Sequence, residues 1–146
     1  MSMLTHVFFA GSMPTPIAVT ETMQRLGLNF AISDDQEGLD AYDGMMPMTF
    51  RVGADTHGAG VEVYVGSARE TIDEFDIEGI DPKLDKEIVF CFSESTGAAC
   101  ALALAAAIAT LTGGIIFDES EEDIVSIETA VEECREEFIP AMLQGR

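Results

Sequence analysis

Positively charged residues are scarce in this sequence. Seven Lys and Arg residues stand against 27 Asp and Glu residues, which gives a formal net charge of −20 at pH 7. A nucleic-acid backbone is bound by clustered Lys and Arg that displace counterions, and an anionic membrane surface also attracts basic segments. The composition therefore predicts that the chain binds neither nucleic acid nor a membrane. It favours a basic protein as the partner, through electrostatic steering and complementarity.

Cysteine and histidine are also scarce, and their spacing matches no known site. Cys91, Cys100 and Cys134 have no CxxC spacing and no nearby His, which indicates reduced thiols in a cytoplasmic protein. A structural zinc site needs four ligands with paired spacing, so we expect none. His6 and His57 have no Ser, Cys or carboxylate at the spacing of a catalytic motif. We expect a structural or solvent-exposed role for both.

One acidic segment approximates a calcium-binding loop. Glu74, Asp76, Glu78 and Asp85 follow roughly the spacing of its ligands, as in the helix–loop–helix calcium sites. Pro82 interrupts the segment, and the last position holds Asp where a bidentate Glu is needed. We therefore expect neither a bound metal nor a cofactor.

Residues 98–117 contain no charged side chain, which raises the question of a membrane span. The stretch is mostly alanine and is interrupted at Gly113 and Gly114, and its nearest charged neighbours are Glu94 and Asp118. Membrane spans are usually anchored by basic residues, so we expect a buried core helix followed by a strand. Residues 1–6 carry no basic segment and no cleavage signal, and we expect no signal peptide.

The hydrophobic pattern predicts ten elements in the order β-α-β-β-β-α-β-α-β-α. Ser120–Asp123 resembles a capping box that opens the last helix. The inward positions expected on that helix are Ile124, Ile127, Val131, Cys134, Phe138 and Met142. The length and the absence of a linker predict one domain over residues 1–146. We expect an α+β fold with a mixed, partly antiparallel sheet and packed helices.

Two segments concentrate the negative charge. Residues 34–43 hold five acids and no base, and residues 118–137 hold ten acids and one base. Like charges four residues apart each cost a few tenths of a kcal/mol on an isolated helix, so the pattern favours a negative field with a function. The residues expected to contact the partner are Asp34, Asp35, Glu37, Asp40, Asp43, Asp118, Glu119, Glu121, Glu122 and Asp123.

An alanine-rich helix that runs into Gly-Gly-Ile-Ile-Phe-Asp, in a small acidic α+β chain, resembles small bacterial immunity proteins. These include the immunity proteins of contact-dependent growth inhibition and polymorphic toxin systems. The resemblance covers about residues 96–119 together with size and charge, and it transfers no toxin-binding residue. It implies a cytoplasmic, non-enzymatic inhibitor that covers the active site of a basic toxin domain. That domain, often a nuclease, forms the C-terminal part of a larger exported protein.

Two other functions remain open. The turn after the predicted strand 87–92 brings Ser93, Ser95 and Thr96 to the start of a helix, where anions and nucleophiles are often found. A small enzyme or ligand-binding domain would use this turn, although G-x-S-x-G, a P-loop lysine and G-x-G-x-x-G are all absent. A structural or oligomeric domain is the other alternative. General solubility or adaptation to salt would then account for the charge.

Overall fold

The computed structural model describes residues 3–33, 38–39 and 44–144, without the side chains of Ser95 and of residues 137–144. Within these ranges the chain forms seven strands and four helices. The strands are β1 (Met3–Phe9), β2 (Phe30–Ile32), β3 (Gly44–Val52), β4 (Asp55–Ser67), β5 (Lys86–Phe92), β6 (Ile115–Asp118) and β7 (Asp123–Val125). The helices are α1 (Pro16–Arg25), α2 (Ala68–Glu74), α3 (Ser95–Thr112) and α4 (Ile127–Gln144). The predicted α+β class is confirmed.

The strands form a single sheet in the order β2-β3-β4-β5-β1-β6-β7, and every pairing described is antiparallel. The expectation of a mixed sheet is corrected in this respect. A helix between two strands often makes them parallel neighbours, and α3 does connect β5 to β6, which run in the same direction. The first strand of the chain, β1, lies between them and pairs with both. Parallel neighbours are thereby avoided.

Helix α3 fills the centre of the main core, on one face of the sheet. It packs against α1 and α4 as well as against β1, β4 and β5. Ala99, Ala101, Ala103 and Ala105 are all fully buried, since small side chains on several sides of a helix let its neighbours approach closely. The expected buried core helix is confirmed. Across the described residues, no helix has both the length and the apolarity that a bilayer crossing needs.

Helix α2 covers one end of the opposite face of the sheet. Phe8, Ala68, Ile72 and Phe117 form a second, smaller buried cluster there. The segment that follows α2 adds partly buried apolar side chains to it. This second layer is what encloses the polar groups that β1 and β5 present on that face, and one of them is His6.

The predicted capping box at the start of the last helix is wrong. Residues 119–122 form a tight turn that joins β6 to β7, and Glu122 in it has a φ of 50°. Ile124 lies on β7 and is 42% exposed, although a buried helical position was expected. Helix α4 begins later, after Ser126, whose hydroxyl oxygen accepts a hydrogen bond from the N–H of Thr129 at 3.1 Å. The predicted order therefore lacks one strand.

Residues of α4 that were expected to face inward do so where their side chains are described. Cys134 is fully buried, and Ile127 and Val131 are half-buried against the main core. The side chains of Phe138 and Met142 lie outside the described part of the chain. Their predicted burial therefore stays a prediction.

Candidate functional site

The first acidic segment is almost entirely outside the described residues. Asp34, Asp35, Glu37, Asp40 and Asp43 all belong to the part that the structure leaves out. Leu39, between them in the sequence, is described and is fully buried in the main core. The role of these five acids in partner contact stays a prediction.

The second acidic segment contributes to a groove between the turn after β6 and helix α4. The groove has a volume of about 280 Å³, and we call it the acidic groove. Its residues are Met3, Thr5, Phe92, Ala98, Leu102, Asp118, Ser120, Glu121, Glu133 and Glu136. Asp118 and Glu121 come from the β6–β7 region, whereas Glu133 and Glu136 come from α4. The fold thus brings together carboxylates that are separated along the chain.

The groove combines this charged rim with apolar surface. Phe92 at the end of β5 and Ala98 and Leu102 on α3 supply carbon atoms to its lining. Asp118 is held in position by Ser120, whose N–H and hydroxyl donate to Oδ1 of Asp118 at 3.0 and 2.8 Å. Lys and Arg side chains pack their methylene stems on apolar surface and keep the charged end near polar groups. The groove has the chemistry for such a side chain.

The structure separates the acids that the sequence analysis grouped together. Asp118 and Glu121 line the groove. Glu122 and Asp123 are exposed and lie outside its lining, and Glu119 contacts His6 instead. Glu133 and Glu136 line the groove but were not among the expected contact residues. Their spacing of three along a helix was the available signal, because residues three apart lie on one helix face.

A buried polar cluster centred on His6 was not predicted. The Nδ1 atom of His6 contacts Glu87 on β5, and its Nε2 atom lies 2.9 Å from Oε1 of Glu119. The hydroxyl of Thr71 on α2 lies 2.8 Å from both carboxylate oxygens of Glu87. His6 and Glu87 are only 4% and 5% exposed. Sequence motifs do not reveal this cluster, since His6 lies 81 residues from Glu87 and 113 residues from Glu119 along the chain.

The strand register accounts for the contact between His6 and Glu87. His6 lies opposite Val89, and Phe8 lies opposite Glu87. Because alternate residues of a strand share a face, His6 and Glu87 are diagonal neighbours on the α2 side of the sheet. Burial alone lowers the pKa of His6, but its hydrogen bonds to Glu87 and Glu119 and their negative charges together outweigh that effect. The pKa is raised above the ordinary value of 6.5.

The turn after β5 borders a separate cavity of about 260 Å³. Gly58 and Gly60 of β4 and Gly97 of α3 lie along it, together with Ser93 and Thr96. A Cβ atom at Gly97 would lie 2.9 Å from Cβ of Phe92, so the close approach of helix and strand favours glycine. Glu94 also lines this cavity, at the N-cap position of α3.

No group of three or more His, Cys, Asp or Glu side chains lies close enough to hold an ion, within the part of the chain that is described. Asp76, inside the segment that approximates a calcium loop, adopts a positive φ of 51°.

No protein-family profile matches the chain, and comparison with curated proteins and with solved structures also returned no match.

Proposed function

We propose that this chain is a non-enzymatic binding protein that holds a basic protein partner through the acidic groove. The observation that carries the proposal is the convergence of four carboxylates, from β6, the turn after it and α4, on a groove with apolar lining. Such a groove suits a Lys or Arg side chain better than it suits any anion. The guanidinium group of Arg is favoured, because it forms paired hydrogen bonds with a carboxylate.

The charge around the groove supports the same partner. Helix α4 carries Arg135, whose guanidinium donates to the carbonyl of Leu26 at 3.2 Å, on the side of α1. It therefore points toward a different part of the surface from the groove lining. Exposed carboxylates steer a cationic partner and raise the association rate, whereas partly enclosed ones slow dissociation. We assign the first role to Glu122 and Asp123, and the second to the groove.

The partner that we propose is the basic toxin domain of a larger exported protein, with a nuclease-type domain as the leading candidate. The chain would then be a cytoplasmic immunity protein that covers the active site of the toxin. The supports for this finer proposal are the resemblance of residues 96–119 to immunity proteins and the net charge of −20. Asp34, Asp35, Glu37, Asp40 and Asp43 would add a second contact region.

The experiment compares two variants of equal charge. One neutralises the groove with Asp118→Asn, Glu121→Gln, Glu133→Gln and Glu136→Gln. The matched control neutralises acids outside the groove lining, with Glu70→Gln, Asp73→Asn, Glu128→Gln and Glu132→Gln. The tagged wild-type chain, co-expressed with the products of its neighbouring genes, is used to capture the partner. Calorimetry and stopped-flow mixing then give Kd and the association rate at two salt concentrations.

We expect the groove variant to lose affinity by about 100-fold or more, mainly through faster dissociation. The control variant should lose mainly association rate at low salt. Equal losses in the two variants would show that only overall charge matters. No loss in either variant, or mixed basic proteins that wash off at moderate salt, would contradict the proposal.

A small-ligand site at the turn after β5 is the second candidate, and the cavity beside Gly58, Gly60 and Gly97 favours it. Because Glu94 lines the cavity, an uncharged or cationic ligand is preferred over a phosphate or another anion. A thermal-shift screen of metabolites tests this, with the Thr96→Val variant as the check on location. Ligands that stabilise the wild type and not the variant would favour a ligand-binding function.

A further inference from the structure

The His6 ring lies between two carboxylates that differ in their exposure. The side chains of His6 and Glu87 are each 6% exposed, whereas the side chain of Glu119 is 29% exposed. Glu87 belongs to the central strand β5, and Glu119 belongs to the turn after β6. One ring nitrogen thus contacts a carboxylate inside the protein, and the other contacts a carboxylate at the surface.

With Glu87 and Glu119 ionised, the hydrogen count of this cluster requires a protonated ring. A carboxylate oxygen only accepts hydrogen bonds, so both ring nitrogens of His6 must donate. A neutral imidazole has one N–H group and an imidazolium has two. The hydroxyl hydrogen of Thr71 is directed to Glu87, so it does not serve Glu119. With both carboxylates ionised, the contacts with Glu87 and Glu119 therefore form together only when His6 is an imidazolium.

We propose that His6 is a proton-dependent latch that holds the turn 119–122 against the sheet. When the ring loses a proton to solvent, its remaining N–H stays with Glu87, because that carboxylate is buried and Glu119 is not. Nε2 then presents a lone pair to the carboxylate of Glu119. The two acceptors repel each other, and Glu119 moves into water. The step is a simple deprotonation in which no covalent bond between heavy atoms changes.

The groups around the ring give the latch its working range of pH. Glu87 from β5 and Glu119 from the turn are the charged groups that face the ring. Helix α2 contributes the uncharged hydroxyl of Thr71, and the rings of Phe8 and Phe117 lie at centroid distances of 6.3 and 5.7 Å. Since both carboxylates favour the imidazolium, the latch is closed at and below the ordinary titration range of histidine. It opens as the pH rises above that range.

Besides its contact with His6, the turn is attached by further hydrogen bonds in the described structure, among them those that Ser120 donates to Oδ1 of Asp118 at 3.0 and 2.8 Å and to Sδ of Met3 at 3.7 Å. The N–H of Glu119 donates to the carbonyl of Leu4 at 3.2 Å, and the N–H of Glu122 donates to the carbonyl of Glu119 at 3.2 Å. Glu121 and Glu122 are exposed. Ser120 and Glu121 also line the acidic groove, so opening of the latch would change the shape of that groove. The latch itself is a property of the chain alone and does not depend on the proposed function.

The test follows His6 and the turn together by NMR on the isolated labelled chain, between about pH 6 and 10. We expect both ring nitrogens of His6 to be protonated at the lower end. The amide shifts of residues 119–122 and the carboxyl carbon shift of Glu119 should then move with the midpoint of the ring. The protection factor of the Glu119 amide should fall by about tenfold or more, since a hydrogen bond to a charged group is lost.

Two variants separate the latch from general effects of charge. In Glu119→Gln, the side-chain amide can donate to a neutral Nε2, so the turn should stay in place at high pH. Glu122→Gln removes the same charge from the same turn without touching the ring, and should respond as the wild type does. The latch is overturned if the turn does not follow His6, if one ring nitrogen lacks its proton at about pH 6, or if Glu119→Gln behaves as the wild type.

Discussion

Gly114 shows how closely the backbone packs at the start of β6. A Cβ atom at this position would lie 2.5 Å from the carbonyl oxygen of Phe8 and 3.2 Å from Cβ of Phe9. Both residues belong to β1, which pairs with β6. A side-chain rotation cannot relieve a contact between Cβ and the backbone, so one of the strands would have to shift. The requirement for glycine at position 114 comes from packing, whereas the end of α3 is formed by Gly113, which has a φ of 70°.

Gly114→Ala is therefore expected to destabilise the protein by about 1–3 kcal/mol, the usual effect of overpacking a core. Urea unfolding of the two proteins measures the difference. Gly58→Ala is the matched control, because a Cβ atom there would meet nothing within 4 Å. We expect no loss of stability in the control. Equal stability of the two variants would contradict the close packing of β1 and β6.

His6 makes stability depend on pH. Its pKa is raised in the folded protein, so the folded state binds its proton more tightly than the unfolded state does. The stabilisation is fully present below about pH 6.5 and is lost as the pH rises through the raised pKa. Urea unfolding from about pH 6 to 9 should show this loss in the wild type. The loss should be smaller in Glu119→Gln and unchanged in the control His57→Gln.

At the scale of the elements, the interface between helices α3 and α4 contains two buried cysteine thiols. Cys100 on α3 and Cys134 on α4 are both fully buried, and Sγ of Cys134 donates to the carbonyl of Ala99 at 3.2 Å. Burial raises the pKa of each thiol to about 12. Both cysteines therefore act as small apolar residues at the interface of the two helices.

A second pH-dependent loss of stability follows from these thiols. They stay protonated in the folded state but ionise near pH 9 in the unfolded state, so alkaline pH favours unfolding. Between about pH 8 and 10 we expect the free energy of unfolding to fall by about 1 kcal/mol per thiol. The double variant Cys100→Ala, Cys134→Ala should lose this slope. A wild-type slope in that variant would assign the effect to other groups.

An element was predicted correctly where the hydrophobic pattern of its segment fits only one type of secondary structure. The buried alanine-rich helix α3 was predicted, because long apolar segments are distinctive. Residues 120–125 were misassigned to a helix. Acids before an apolar residue suit a capping box, but they suit a turn followed by a three-residue strand equally well. Only the pairing of Asp118 with Asp123 selects the strand.

At the scale of the whole molecule, the dominant long-range interaction is electrostatic repulsion among the acidic side chains. The formal net charge is −20, and His6 forms ion pairs with Glu87 and Glu119. On α4, Glu128, Glu132 and Glu136 follow one another at four-residue spacing and are exposed. Repulsion of this kind destabilises a compact state.

Added salt should therefore stabilise the protein. Screening at about 1 M ionic strength shortens the Debye length from about 10 Å to about 3 Å, so we expect the urea midpoint to rise between about 0.1 M and 1 M NaCl. KCl should have the same effect as NaCl, because screening does not depend on the cation. A midpoint that is independent of salt would mean that the acids are too far apart to repel one another.

Composition and periodicity alone were enough for the α+β class, the buried alanine-rich helix and the acidic character of the surface. These properties follow from local patterns and from total charge, which do not depend on how distant segments meet. The contact of His6 with Glu87 and Glu119, and the meeting of Asp118 with Glu136 in one groove, were decided by the tertiary structure. They depend on strand register and on the packing of α4 against α3, and a one-residue change in register would turn His6 to the other face of the sheet.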